Sequence, residues 1–85
     1  MYEEINEPIE TATRFKGGQA EPLAFRWHHS IFKISKVNLC HKFRTGKDIV
    51  YSYSVSTDNG DNFKISFNPN ALIWTLDQIY ELNHE

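Results

Sequence analysis

The chain has 85 residues, a formal net charge of −2 and a single cysteine, Cys40. These figures predict one domain, exclude an internal disulfide and favour a reducing location, which we expect to be the cytoplasm. The longest apolar run is residues 71–74, and the N-terminus is acidic, so we expect neither a membrane span nor a signal peptide.

Charge is distributed unevenly along the chain. Residues 1–22 hold five acids and two bases, residues 23–47 hold six bases and no acid, and residues 48–85 hold six acids and one base. The central bases are the candidate site for an anionic partner: Arg26, Lys33, Lys36, Lys42, Arg44 and Lys47. Two interpretations stay open. Acidic neighbours could neutralise these bases through cross-strand ion pairs, or the bases could form one basic face.

The N-terminal part predicts a loose start followed by strands. Residues 1–8 are predicted to be a flexible acidic lead because Pro8 interrupts a strand, and residues 9–85 to be a single β domain. Weak alternation over 9–15 predicts the first strand, and Gly17 with Gly18 predicts a turn. A second strand follows from Pro22, with three apolar side chains on one face: Leu23, Phe25 and Trp27.

A turn at 28–30 leads into a long predicted strand over 31–44. Its apolar residues change parity, because Phe32 and Ile34 share one phase and the later residues follow the other. The later residues are Val37, Leu39, His41 and Phe43. One extra residue near Ser35 would repair the mismatch, so the sequence predicts a β-bulge there.

The clearest pattern lies in residues 49–67, which alternate apolar and polar side chains. The predicted core positions are Tyr51, Tyr53, Val55, Phe63, Ile65 and Phe67. A three-residue turn, Asp58-Asn59-Gly60, pairs Val55 with Phe63 on one face and places Gly60 in the left-handed region.

The last segment, 71–82, has two interpretations. Trp74 and Leu76 alternate like a strand, while a helical stripe capped by Asn70 predicts a helix. We predict an all-β protein of five or six antiparallel strands in a small barrel or two-layer sheet. The alternative is an α+β fold with a C-terminal helix over 71–82.

Two motifs resemble a domain-of-unknown-function family of short bacterial proteins. The family's opening motif, Phe-x-Trp-x-Gly-x-x-Tyr-x-Val, is similar to residues 25–34, although His29 stands in place of the turn glycine. Its closing motif, Trp-x-Leu-x-x-Val-Tyr followed by an acid, is similar to residues 74–81. The resemblance implies a β architecture, and it implies no activity because the family has none assigned.

The reactive residues do not predict an enzyme. The pairs His28-His29 and Cys40-His41 place adjacent side chains on opposite strand faces, and their spacing does not match a metal site. We therefore expect no catalytic residue, metal or cofactor.

A non-enzymatic interaction module is the function that we predict, with a protein partner or a second copy bound at a sheet edge. The alternative is a small barrel that binds single-stranded nucleic acid through the basic segment 23–47. In that alternative, bases would stack on Trp27, Phe32 and Phe43.

Overall fold

A computed structural model describes residues 2–80, and six strands form its regular structure. The strands are β1 (Tyr2–Lys16), β2 (Gln19–Trp27), β3 (Ser30–Thr45), β4 (Asp48–Thr57), β5 (Asn62–Asn68) and β6 (Ile73–Tyr80). Each strand pairs antiparallel with the next, and β6 pairs with β1, so the sheet closes into a barrel. The all-β prediction is confirmed, in its barrel form.

The β4–β5 hairpin has the register that the sequence predicts. Its core pairs are Val55 with Phe63, Tyr53 with Ile65, and Tyr51 with Phe67. The Gly60 amide donates to the Thr57 carbonyl at 3.0 Å, and Gly60 has a φ of 91°. Glycine is required there because a Cβ disfavours positive φ.

The core fills the barrel with aromatic and aliphatic side chains. Ile65 and Leu76 are completely buried, and the Phe67 and Trp74 rings stack with centroids 4.7 Å apart. Phe25 contacts the Phe63 ring edge-on at 5.1 Å. Five of the six predicted core residues are buried, and Tyr51 packs against them.

β6 confirms the strand interpretation of the last segment. Trp74 and Leu76 are buried and pair with Phe67 and Ile65. The helix alternative is wrong for residues 71–80, whereas residues 81 and 82 lie outside the described part of the chain. A register shift beside Leu76 leaves Asp77 as an extra residue, so Ile79 packs on the core.

The expected loose lead over 1–8 needs correction. Residues 2–8 belong to β1, and Pro8 has Thr75 of β6 as its register partner. The Tyr2 and Tyr80 rings lie 6.1 Å apart, and Ile5 packs against the core. Proline is tolerated because no strand among residues 2–80 pairs with the other edge of this stretch.

The β1–β2 hairpin bends over one end of the barrel. The Tyr53 hydroxyl donates to the Ala20 carbonyl at 2.6 Å, and the Phe15 ring lies 6.2 Å from the Phe67 ring. A register shift in this hairpin makes Leu23 an extra residue between Pro22 and Ala24, and its side chain is 41% exposed. The sequence predicted that Leu23 shares the face of Phe25, which is wrong. Among residues 2–80, no helix is long and apolar enough to cross a membrane.

Candidate functional site

β3 changes phase twice along its length. The predicted bulge is confirmed between Ile34 and Lys36, and a second one lies between Val37 and Leu39. The sequence predicted that Val37 and Leu39 share a face, which is wrong. Val37 pairs with Val55 and packs on the core, while Leu39 is 59% exposed.

Ser56 of β4 forms hydrogen bonds to the bulged part of β3. Its hydroxyl accepts a hydrogen bond from the Asn38 amide at 2.9 Å and donates one to Asn62 Oδ1 at 2.7 Å. Its carbonyl accepts a hydrogen bond from the Ser35 hydroxyl at 3.2 Å. These contacts hold the extra residues of both bulges, so Ser56 sets the phase of the rest of β3.

β3 has a long edge that no other strand covers. β2 pairs with β3 only over residues 30–33, whereas β4 pairs with it over residues 34–45. Within residues 2–80, no strand lies on the other edge of β3 beyond Lys33. The final stretch, residues 40–45, pairs with β4 without a register shift. We call residues 40–45 the acceptor edge.

The acceptor edge has two chemically different faces. Lys42 and Arg44 share a face with Cys40, whose register partner is the core residue Tyr53. His41 and Phe43 share the opposite face, their rings lie 6.3 Å apart, and Phe43 is 45% exposed. One face of the edge is therefore cationic and the other aromatic.

The structure divides the six predicted bases into separate groups. Arg26 lies on β2, 3.5 Å from the Glu10 carboxylate. Lys33 pairs with Ala24 near the start of β3, and Lys36 lies at the first bulge. The other three are at the far end of the β3–β4 hairpin: Lys42, Arg44 and Lys47. The six do not form one continuous face.

Neutralisation by acidic neighbours is realised for Arg26 and not for the β3 bases. Among the described residues, none of the β3 bases forms an ion pair. The acid closest in register is Asp48, and its two carboxylate oxygens accept hydrogen bonds from Asn68 and Asn70 at 3.0 Å each. The positive charge of the acceptor edge thus faces solvent.

The three aromatic residues named for base stacking have different environments. Phe32 stacks on Phe25 with centroids 5.1 Å apart. The Trp27 indole donates to the Glu7 carboxylate at 2.9 Å and stacks on His28. Of the three, Phe43 alone is exposed among the bases.

A shallow groove of about 500 Å³ surrounds Trp27, next to the turn between β2 and β3. It is lined by Glu7, Pro8, Ile9, Glu10, Arg26, Trp27, His28 and His29. Its polar groups pair with one another, since the His28 imidazole and the Arg26 guanidinium each lie 3.5 Å from a glutamate. Acidic and basic groups alternate there, so the groove does not select a ligand of one charge.

Two titratable side chains near the core have a raised pKa. Burial, with a contribution from Cys40, raises the pKa of Tyr53 to about 12. Burial also raises the pKa of Asp77, against the opposing effects of the Ser66 hydrogen bond and Lys64. Within residues 2–80, no three His, Cys, Asp or Glu side chains are grouped to hold a metal ion.

Sequence reasoning missed the second bulge and the role of Ser56. The one available signal is Asn38, a polar residue between Val37 and Leu39, both apolar. Its partner Ser56 lies 18 residues away in the chain, and the local pattern does not identify it.

Comparisons with protein-family models, curated proteins and solved structures find no match. The resemblance to the domain-of-unknown-function family therefore stays a prediction.

Proposed function

We propose that this chain is a non-enzymatic protein-interaction module that binds an extended segment of a partner along the acceptor edge. The observation that carries the proposal is the one-sided pairing of β3 beyond Lys33 within residues 2–80. Unpaired backbone N–H and C=O groups on a strand edge can hydrogen-bond to an added strand.

The charge of β3 supports an acidic partner. Residues 30–45 contain four bases and no acid. Pairing of two β3 strands from different copies would bring these bases close together, and like charges across a strand pair are destabilising. We therefore favour a different protein over a second copy. A reducing location such as the cytoplasm, suggested by the exposed free thiol of Cys40, is part of this proposal.

Single-stranded nucleic acid is the second candidate because Phe43 is exposed between Lys42 and Arg44. Stacking on one aromatic with two cations is a small binding surface. Trp27 and Phe32 pack against other residues, which lowers the support for this candidate.

The test is titration of the full chain with an extended acidic peptide, an extended basic peptide and oligothymidylate. We expect the acidic peptide to bind and the other two to bind at least about ten-fold more weakly. Preferential binding of oligothymidylate with a steep salt dependence would support the second candidate. Equal affinity for both peptides would contradict the proposal.

A charge-reversal pair locates the site. The double variant Lys42→Glu with Arg44→Glu should bind the acidic peptide about ten-fold more weakly or worse than the wild type. Arg26→Glu with Lys33→Glu gives the same change in net charge beside the β2–β3 turn, outside the acceptor edge, and should leave affinity within about two-fold. Equal losses in the two double variants would show a general charge effect in place of a site.

A further inference from the structure

We infer that the acceptor edge selects a partner segment in which acidic and apolar residues alternate, with the acids opposite Lys42 and Arg44. This inference rests on the proposed function and adds the sequence pattern of the partner to it.

The first support is the regular geometry of residues 40–45. They pair with β4 without a bulge, so consecutive side chains leave the strand on opposite faces. Residues that pair across two strands share a face. A strand added to this edge would therefore have its own side chains sorted by the two faces of β3.

The second support is the difference between those faces. On one face, an incoming carboxylate would meet Lys42 and Arg44, whose charges are not paired within the described chain. On the other face, an incoming apolar side chain would meet Phe43, which pairs with the buried Val50. Such a side chain would extend an apolar row of Phe43 and Val50, and cover aromatic surface that is now exposed.

The third support is the effect of register. A slip of one residue would place acids against Phe43 and apolar groups against Lys42, so the wrong phase loses both kinds of contact. The amino-acid composition of the partner segment is therefore not enough for binding. A block of acids followed by a block of apolar residues cannot place acids against Lys42 and Arg44 and an apolar group against Phe43 at the same time.

The occupant is a different protein, because the described strands of this chain lack the pattern. No strand within residues 2–80 has two acids separated by one residue. The acids of β1, its most acidic strand, are Glu3, Glu4, Glu7 and Glu10.

The experiment compares two capped peptides of about eight residues with equal numbers of glutamate and valine. One alternates the two residues, and the other has them in two blocks. Both are titrated into the isotope-labelled full chain and followed through its backbone amide signals. The alternating peptide should bind at least about ten-fold more tightly and should shift the amides of residues 40–45 most strongly.

A charge swap on β3 tests whether the acids of the partner lie opposite Lys42 and Arg44. Its readout includes a gain of binding as well as a loss. The variant with Lys42→Glu and Arg44→Glu should lose affinity for the alternating glutamate–valine peptide and gain affinity for an alternating lysine–valine peptide. Phe43→Thr should weaken binding of the alternating peptide more than binding of the block peptide, because only an alternating segment in phase contacts Phe43 and both cations at once.

The outcomes separate the two claims. Equal binding of the alternating and block peptides at the acceptor edge would overturn this inference and leave the proposed function in place. Failure of both peptides to bind at millimolar concentration would overturn both. Tighter binding of oligothymidylate, or self-association through residues 40–45, would also overturn both.

Discussion

β3 and β4 are neighbouring strands, and both contain alternating apolar residues. The alternation changes phase along β3 and keeps one phase along β4. β4 has partners on both edges, β3 and β5, and it pairs with β5 in one unbroken register. β3 has two bulges and, within residues 2–80, one edge that is uncovered beyond Lys33. Two paired edges and a buried face fix the phase of β4, whereas particular polar contacts fix the phase of β3.

The largest expected effect tests whether the β4–β5 side carries the stability. Ile65→Ala should lower the free energy of unfolding by about 3–4 kcal/mol, because Ile65 is completely buried and its loss leaves a cavity. Ile31→Ala, at a 62% exposed position of β3, should cost less than about 0.5 kcal/mol. Urea denaturation followed by circular dichroism measures both. Similar costs for the two variants would contradict the assigned core.

The next effect concerns the attachment of β3 to β4. Ser56→Ala should cost about 1–2 kcal/mol because the Asn38 amide and Asn62 both lose a partner. The amide signals of residues 35–39 should shift. Ser54→Ala, on the same face of β4, is the matched control and should cost less than about 0.5 kcal/mol. If the signals of residues 35–39 remain in place, Ser56 does not set the bulges.

A third effect tests the contact that joins the β1–β2 hairpin to the barrel. Tyr53→Phe should cost about 1 kcal/mol at neutral pH because the Ala20 carbonyl loses its donor. In the wild type, burial raises the pKa of Tyr53 to about 12, so the folded state favours the protonated phenol. This contribution to stability is complete below the unfolded pKa of about 10 and is lost as the pH rises through the folded value.

The free energy of unfolding, measured by urea denaturation at several pH values between about 8 and 12, tests whether stability falls as the pH rises. Tyr53→Phe should lose less stability than the wild type over that range, and Tyr2→Phe, at an exposed position of β1, should behave like the wild type. The same high-pH loss in all three proteins would show that Tyr53 is not the group that titrates.

The smallest effect concerns Asp77, the extra residue in β6. Burial raises its pKa, so its protonated form contributes stability that is complete below the ordinary carboxyl pKa and is lost as the pH rises through the folded value. Asp77→Asn should therefore raise the free energy of unfolding slightly at pH 7, and the gain should vanish near pH 3. Asp61→Asn, in an exposed position, should change neither value. A loss of stability in Asp77→Asn at pH 7 would contradict this account.

The fold was predictable where the physical constraint is local. Alternation over 49–67 and the glycine after Asn59 determine the β4–β5 hairpin, because a wrong register would put apolar against polar side chains. The N-terminal half of β1 was not predictable, since Pro8 argues against a strand in sequence and is tolerated only at an edge.

The candidate site was predictable in composition and not in arrangement. The six bases are evident in the sequence, but their division depends on the bulge at Asn38 and on Glu10, which pairs with Arg26. Both depend on contacts between residues distant in the chain. The sequence alone therefore could not separate the group of Lys42, Arg44 and Lys47 from the other three bases.

Amide hydrogen exchange along β3 tests the central claim most directly. In a strand paired on one edge, alternate amides point toward the partner strand and the others point away from it. Over residues 40–45 we predict slow exchange at the alternate amides that face β4 and fast exchange at those between them, while the amides of residues 51–55 in β4 are all slow. Adding the alternating glutamate–valine peptide should slow the fast amides of β3. Uniform protection of residues 40–45 in the free protein would contradict the account.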